Sequence, residues 1–305
     1  MAPGTPAAAV ASPIIAGSAA MITPLEDELK NKSMCPTPQG WILVLDRAAA
    51  AATYLLDPHS RRRIPLPPLA IDPRLLPYCT CLLHPVPGGG DPSAGQFLVL
   101  LREWAKHEYD IGTQGDGRIV EKRAIAPIAA CRGKFYFNPR STETEVLELP
   151  PRGGGAAPSP PVFSSCDAEV PGRAHRAKVF LVEEPEPAGA SSSLYMVMVL
   201  HNGGAYDAIE VYRMDFPGRR WCPVDDLGGR AFFVGPMNLG ASCAAGGGIQ
   251  ENCVYSLVGA DDNSYRVFNL KDGTSEWRSV DGHKVETAET TISFWVLPTD
   301  QQLKF

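Results

Sequence analysis

No run of eighteen apolar residues occurs in this 305-residue chain, so the sequence offers no candidate for a membrane-spanning helix. No Lys or Arg precedes Lys30, although the first twenty residues are rich in Ala and contain Ile14-Ile15. A secretory leader needs a charged start and an unbroken apolar centre, which Pro13 interrupts, and a transit peptide needs arginines, so no targeting segment is expected. There is no basic excess either: Lys+Arg 28 stand against Asp+Glu 34, a formal net charge of -6. A surface that tracks phosphates gathers positive charge on one face, and nucleic-acid binding is therefore not expected.

Signatures of chemistry are equally scarce. Gly112, Gly115 and Gly117 do not have the spacing of a phosphate loop or a dinucleotide fingerprint. Cys79-Thr80-Cys81 with His84 has the residue types of a zinc site, but no second pair follows at finger-like spacing, and the cysteines sit in an apolar run, as core thiols do. Gly240-Ala241-Ser242-Cys243-Ala244 lacks the closing glycine and the following helix of a nucleophile elbow. The acid pairs Glu183-Glu184, Asp225-Asp226 and Asp261-Asp262 adjoin turn residues, where carboxylates are ordinary solvated punctuation. Arg61-Arg62-Arg63 reads as an exposed turn, with an acidic partner as the alternative. The sequence thus predicts no catalytic residue, no cofactor and no metal site.

Gly 29 and Pro 29 are both high for a helical protein and suit many short strands joined by turns. Residues 1–38 are Ala/Pro-rich, without a sustained period, and are expected to form a disordered tail, with one folded domain over 39–305. Beyond the tail, apolar runs of four to seven residues recur, rich in Val, Phe and Tyr and closed by Gly, Pro, Asn or Asp. Only Phe97 to Ala105 also suits a helix, since Leu98, Leu101 and Trp104 share a helical face. The stretches Pro85 to Ser93, Pro150 to Pro161 and Glu183 to Ser193 read as exposed loops that a partner would reach first. The eight cysteines lie mostly in or beside apolar runs, as buried reduced thiols do, which suits the cytoplasm or nucleus.

A hairpin recurs. Thr53-Tyr54-Leu55-Leu56-Asp57-Pro58 leads through a turn to Arg63-Ile64-Pro65-Leu66. Val211-Tyr212-Arg213-Met214-Asp215 leads to Trp221-Cys222-Pro223-Val224, and Tyr265-Arg266-Val267-Phe268-Asn269 leads to Thr274-Ser275-Glu276-Trp277. A weaker copy runs from Phe135-Tyr136-Phe137 to Val146-Leu147-Glu148-Leu149. Each has the form of the outer half of a propeller blade, whose last strand sets a large side chain against the neighbouring blade. One such unit cannot bury both of its faces, so the units must be arrayed about an axis. At about 40 to 50 residues per blade the chain predicts an all-β propeller of about six blades, some degenerate. A β-sandwich with look-alike hairpins is the alternative.

An ordered set of segments resembles the plant KIB-type β-propeller family, a domain of unknown function often found in F-box proteins. The set comprises Gly40-Trp41-Ile42-Leu43-Val44-Leu45, Leu56-Asp57-Pro58 with Arg63-Ile64-Pro65-Leu66, Cys131-Arg132-Gly133-Lys134-Phe135-Tyr136 and Val211-Tyr212-Arg213-Met214-Asp215 with Trp221. It continues with Leu227-Gly228-Gly229-Arg230-Ala231-Phe232-Phe233-Val234-Gly235, Asn252-Cys253-Val254-Tyr255, Val267-Phe268-Asn269-Leu270 and Phe294-Trp295-Val296-Leu297-Pro298. The resemblance implies a propeller that binds another protein, in some members a substrate destined for ubiquitination. An F-box needs about forty residues of helices, and the stretch Thr23 to Leu29, which resembles the opening of one, breaks off at Cys35-Pro36. Binding of an unidentified protein partner is expected, whereas docking of a ligase adaptor subunit is not. A stand-alone binding scaffold and an enzyme built on the central channel are the other readings.

Overall fold

A computed structural model of the chain describes residues 10–15, 25, 28–46, 52–69, 71–73, 76, 79–85, 97–103, 127–140, 143–148, 162–172, 177–185, 192–202, 205–258, 264–279 and 291–297. The first strand, β1 (Val10–Ile15), lies in the stretch expected to be a tail. Next come β2 (Lys32–Pro36), β3 (Ile42–Asp46), β4 (Thr53–Leu56) and β5 (Arg63–Leu66), which pair in that order as one antiparallel sheet. β6 (Cys79–Pro85) pairs with β7 (Phe97–Glu103), so the segment open to a helical reading is a strand up to Glu103. A second four-stranded sheet holds β8 (Ile128–Cys131), β9 (Lys134–Arg140), β10 (Glu143–Glu148) and β11 (Val162–Glu169). A third holds β12 (Ala177–Glu184), β13 (Ser193–Asn202), β14 (Ala205–Asp215) and β15 (Arg220–Val224).

The last large sheet contains β16 (Arg230–Val234), β17 (Gly240–Ala244), β18 (Cys253–Ser256), β19 (Ser264–Asn269) and β20 (Ser275–Ser279). Its order is β17-β16-β18-β19-β20, with β16 and β18 parallel. Finally β21 (Thr291–Val296) pairs in parallel with β1, so strands from the two ends of the chain meet.

These sheets follow one another round a circuit. β2 touches β6, β6 touches β8, β8 touches β12, β12 touches β17, and β21 returns to β2. The step from the last large sheet to β21 is made by Trp295, which packs edge-on against Phe233 and Tyr265 and donates its indole N–H to Val234 O at 3.0 Å. Across the circuit, Thr80 donates its hydroxyl to Met237 O at 2.6 Å. Radial sheets in a closed ring make a β-propeller and rule out the sandwich.

Among the described residues four of the sheets are full blades of four or five strands, instead of the expected count of about six, and the other two sheets are pairs. Length divided by a blade period exceeds the number of full blades among the described residues. The five-stranded blade alone takes residues 230–279, and the β1–β21 pair draws on both ends of the chain. Three of the four hairpins seen in the sequence are outer pairs, namely β4–β5, β14–β15 and β19–β20, whereas β9–β10 is the middle pair of its blade.

Folded structure starts well before residue 39. β2 pairs with β3 along its whole length, and Ser33, Met34, Cys35 and Pro36 are all buried. Ahead of it Leu25 and Leu29 join the core that covers the first blade, with Leu43, Leu55 and Phe294. Strand β2 is buried on both faces, so it lacks the alternation that would have announced it. The same stretch was read as resembling the opening of an F-box. Its two leucines are spent on the propeller's own core.

Blade faces are bound together by large apolar side chains. Phe180, Val182, Val197, Phe232, Val234 and Val254 fill the gap between the third and last large sheets. Each such burial stabilises by about 1.5–3 kcal/mol relative to exposure. Trp221 behaves as expected for a last-strand aromatic: it is buried and donates its N–H at 3.3 Å to Thr144 of the preceding blade, whose hydroxyl donates on to Asn138 at 3.1 Å. Trp277, at the matching place in the last blade, is 53% exposed. The tightest approach is at Gly240, where a Cβ would collide with the carbonyl oxygen of Leu181 and lie 3.1 Å from Val182 Cγ2. Only hydrogen fits there.

Candidate functional site

At one end of the ring the inner strands hand over to exposed turns, and there three neighbouring blades are tied together by polar side chains. β8 reverses into β9 through Arg132 and Gly133, with φ of 51° and 75°. Such a two-residue turn has the twist that paired strands need, and it favours residues that tolerate the left-handed region. Gly133 does so freely. Arg132 is a poor local choice, since its Cβ crowds the backbone at positive φ.

Contacts from the next blade hold Arg132 in place. Its backbone N–H donates to Ser192 Oγ at 3.2 Å, and its side-chain Nε donates to Ser192 O at 2.9 Å. The guanidinium carbon lies 4.0 Å from the centre of the Phe216 ring, within the range of a cation–π contact. Phe216 belongs to the β14–β15 turn and meets Tyr136 of β9 edge-on at 5.5 Å. That turn is pinned in turn: Gly218 N–H donates to Asp215 at 3.1 Å, Arg220 pairs with Asp215 at 3.2 Å, and Arg219 reaches Asp167 of β11 at 2.8 Å. Pro217, Gly218, Arg219 and Arg220 remain exposed.

A second polar layer lies at the ends of β12 and β16. Glu184 is 3.4 Å from Arg230 of the last blade, which also donates to Ser242 Oγ at 2.6 Å. Arg213 donates to Ser193 Oγ at 2.8 Å. Glu183 bonds to Ser192, and burial pushes its carboxyl from the ordinary 4.5 up to about 7, against the opposing pull of that bond. Burial likewise lifts the Cys131 thiol and the Tyr136 phenol, each to about 12. The buried thiol here is therefore a packing group, not a thiolate nucleophile.

The structure disposes of the sequence candidates differently. Glu183 and Glu184 are not solvated punctuation, because they close the inner strand β12 and face neighbouring blades. Asp225 and Asp226 are exposed, with Asp226 accepting the Gly228 N–H at 2.7 Å. Asp261-Asp262, the glycines Gly112, Gly115 and Gly117, and most of the three predicted loops lie outside the described residues. Cys79 and Cys81 are buried, and Cys35 Sγ donates to Cys79 O at 3.0 Å, while nothing is described of the His84 side chain. Among the described residues no group of His, Cys, Asp and Glu is arranged to hold a metal ion. Residues Gly240 to Ala244 form strand β17, not a strand-to-helix elbow. Two arginines of the basic turn, Arg61 and Arg63, pair with Glu28 at 2.9 and 2.8 Å, so their charge is met within the chain. No described helix is long and apolar enough to cross a membrane.

In the sequence Arg132 stands out only as part of the segment Cys131 to Tyr136. Its partners Ser192 and Phe216 lie 60 and 84 positions away, beyond the reach of any local pattern. The family model described as the KIB1-4 beta-propeller matches residues 14–269 of the chain. No curated protein matches it.

Proposed function

Because the chain belongs to the KIB1-4 beta-propeller family, we propose that it is a protein-interaction module whose turn-bearing end binds a protein partner. The observation that carries this reading is the pinned, exposed surface formed by the Arg132-Gly133 turn and the Pro217 to Arg220 turn of the adjacent blade. Interface hot spots favour arginine and aromatic side chains on a rigid support, since little entropy remains to be lost on binding. Catalysis is not part of the proposal. The thiol of this end is held protonated, and the Glu183 carboxyl is bonded to Ser192 and buried, not open to a substrate. Delivery of the bound protein for ubiquitination rests on the family resemblance alone, and the packing of Leu25 and Leu29 into the core gives it no support.

Affinity purification with quantitative mass spectrometry tests the binding role. Arg219→Glu with Arg220→Glu reverses charge on an exposed turn and should lower recovery of a specific partner about tenfold. Ser279→Glu, at the opposite end of β20, should leave recovery unchanged. Equal recovery with all three proteins would place the interaction elsewhere and defeat the proposal.

A further inference from the structure

We infer that Arg132 is the anchor of this face and that it takes a carboxylate from an acidic segment of the partner protein. The inference rests on the binding role proposed above and adds the chemistry of the partner. Three observations carry it.

First, the arginine is placed at a cost. A non-glycine residue at φ 51° sits in a backbone region that its Cβ disfavours, and such positions concentrate at functional sites. Second, the side chain is prearranged. Nε is committed to Ser192 O and the guanidinium carbon is held 4.0 Å from the centre of the Phe216 ring, so the two Nη groups are left to meet a ligand. Third, no described carboxylate meets its charge. Arg219, Arg220, Arg230, Arg61 and Arg63 each have a carboxylate within reach, whereas among the described residues none pairs with Arg132. Glu183 of the neighbouring inner strand bonds to Ser192 instead.

A guanidinium edge with parallel N–H groups matches a carboxylate in a bidentate pair. Phosphate readers gather several uncompensated arginines. Here Arg219 and Arg220 are already neutralised by Asp167 and Asp215, so one fork with no described carboxylate partner suits a single Asp or Glu side chain. The mild negative charge of the whole chain makes a broadly acidic partner surface unfavourable and one local acidic contact sufficient.

The test selects a displayed library of random peptides against the full chain and measures the winners by fluorescence polarisation. The inference expects selected peptides to contain an Asp or Glu whose change to the amide weakens binding about tenfold. Arg132→Gln should cause a similar loss with no further loss from the amide peptide, and Arg132→Lys should recover only part of it. Thermal midpoints of both variants within a few degrees of wild type establish that the loss is not unfolding. Peptides that are lost with Arg219→Glu/Arg220→Glu but bind Arg132→Gln normally would overturn the anchor while leaving the binding role standing. A preference for a phosphorylated over an acidic peptide would also overturn it. Failure to select any peptide sensitive to either set of variants would count against both.

Discussion

Replacing Glu183 by Gln should flatten the pH dependence of stability. The folded chain holds the Glu183 proton up to about pH 7, because burial next to Ser192 disfavours the charged carboxylate, whereas an unfolded chain releases it near the ordinary value of 4.5. Between those values the native state binds more protons than the unfolded one, so stability falls as pH rises from about 4.5 towards 7 and then levels off. Each tenfold change in proton affinity is worth about 1.4 kcal/mol, so the full cost carried by wild type above pH 7 approaches about 3 kcal/mol. Gln keeps the shape and the bond to Ser192 but cannot ionise. Urea unfolding at a series of pH values from 4.5 to 8.5 reads the effect directly, and subtracting the two curves cancels the other carboxylates. Wild type and variant should agree within about 0.5 kcal/mol near pH 4.5, with the variant ahead by 2 kcal/mol or more at pH 8. A difference that stays flat with pH, or grows towards acid, would refute the claim that Glu183 is buried in its protonated form.

Further substitutions separate packing from surface. Gly240→Ala should cost about 2–3 kcal/mol in urea melts, because the new methyl meets the Leu181 backbone, which cannot give way without moving β12; a cost under 0.5 kcal/mol would mean the two strands are not in contact. Trp221→Phe keeps most of the apolar bulk and removes the N–H bonded to Thr144, so a loss of about 1 kcal/mol is expected, and a double-mutant cycle with Thr144→Val should show coupling of at least 0.5 kcal/mol. Trp277→Thr should change stability by less than about 0.5 kcal/mol, since the ring is mostly exposed, whereas Trp221→Ala should cost about 3–5 kcal/mol.

Whether a feature of this fold could be read from the sequence depended on how far apart its parts lie along the chain. Thr53 to Leu56 is an uninterrupted apolar run between turn residues, and β4 has those same bounds. Each outer hairpin closes within a short span, so β4–β5, β14–β15 and β19–β20 show as repeats. The elements that close the ring have no such signal. β1 and β21 pair across nearly the whole chain, and β16 and β18 pair in parallel around an intervening strand. β2 is buried on both faces and ends in Pro36, a composition that resembles a tail until β3 is laid beside it.

The same distance rule explains the site. A carboxylate next to turn residues is ordinarily solvated, and Glu183 follows that statistic in sequence but not in space, because it is buried and bonded to Ser192, which in turn bonds to Cys131 and Arg132 of another blade. A basic turn is ordinarily free, and Arg61 and Arg63 are instead held by Glu28 from the stretch assigned to the tail. In both cases the partner lies outside the local run, Ser192 across the β12–β13 connection and Glu28 ahead of β2. Arg132 is the converse case. Its local setting, a left-handed turn position, disfavours arginine, and its long-range contacts fix the side chain with no described carboxylate beside it. Where local preference is overridden and no described carboxylate meets the charge, stability is a poor account of why the residue is there, and the contact proposed above would supply one.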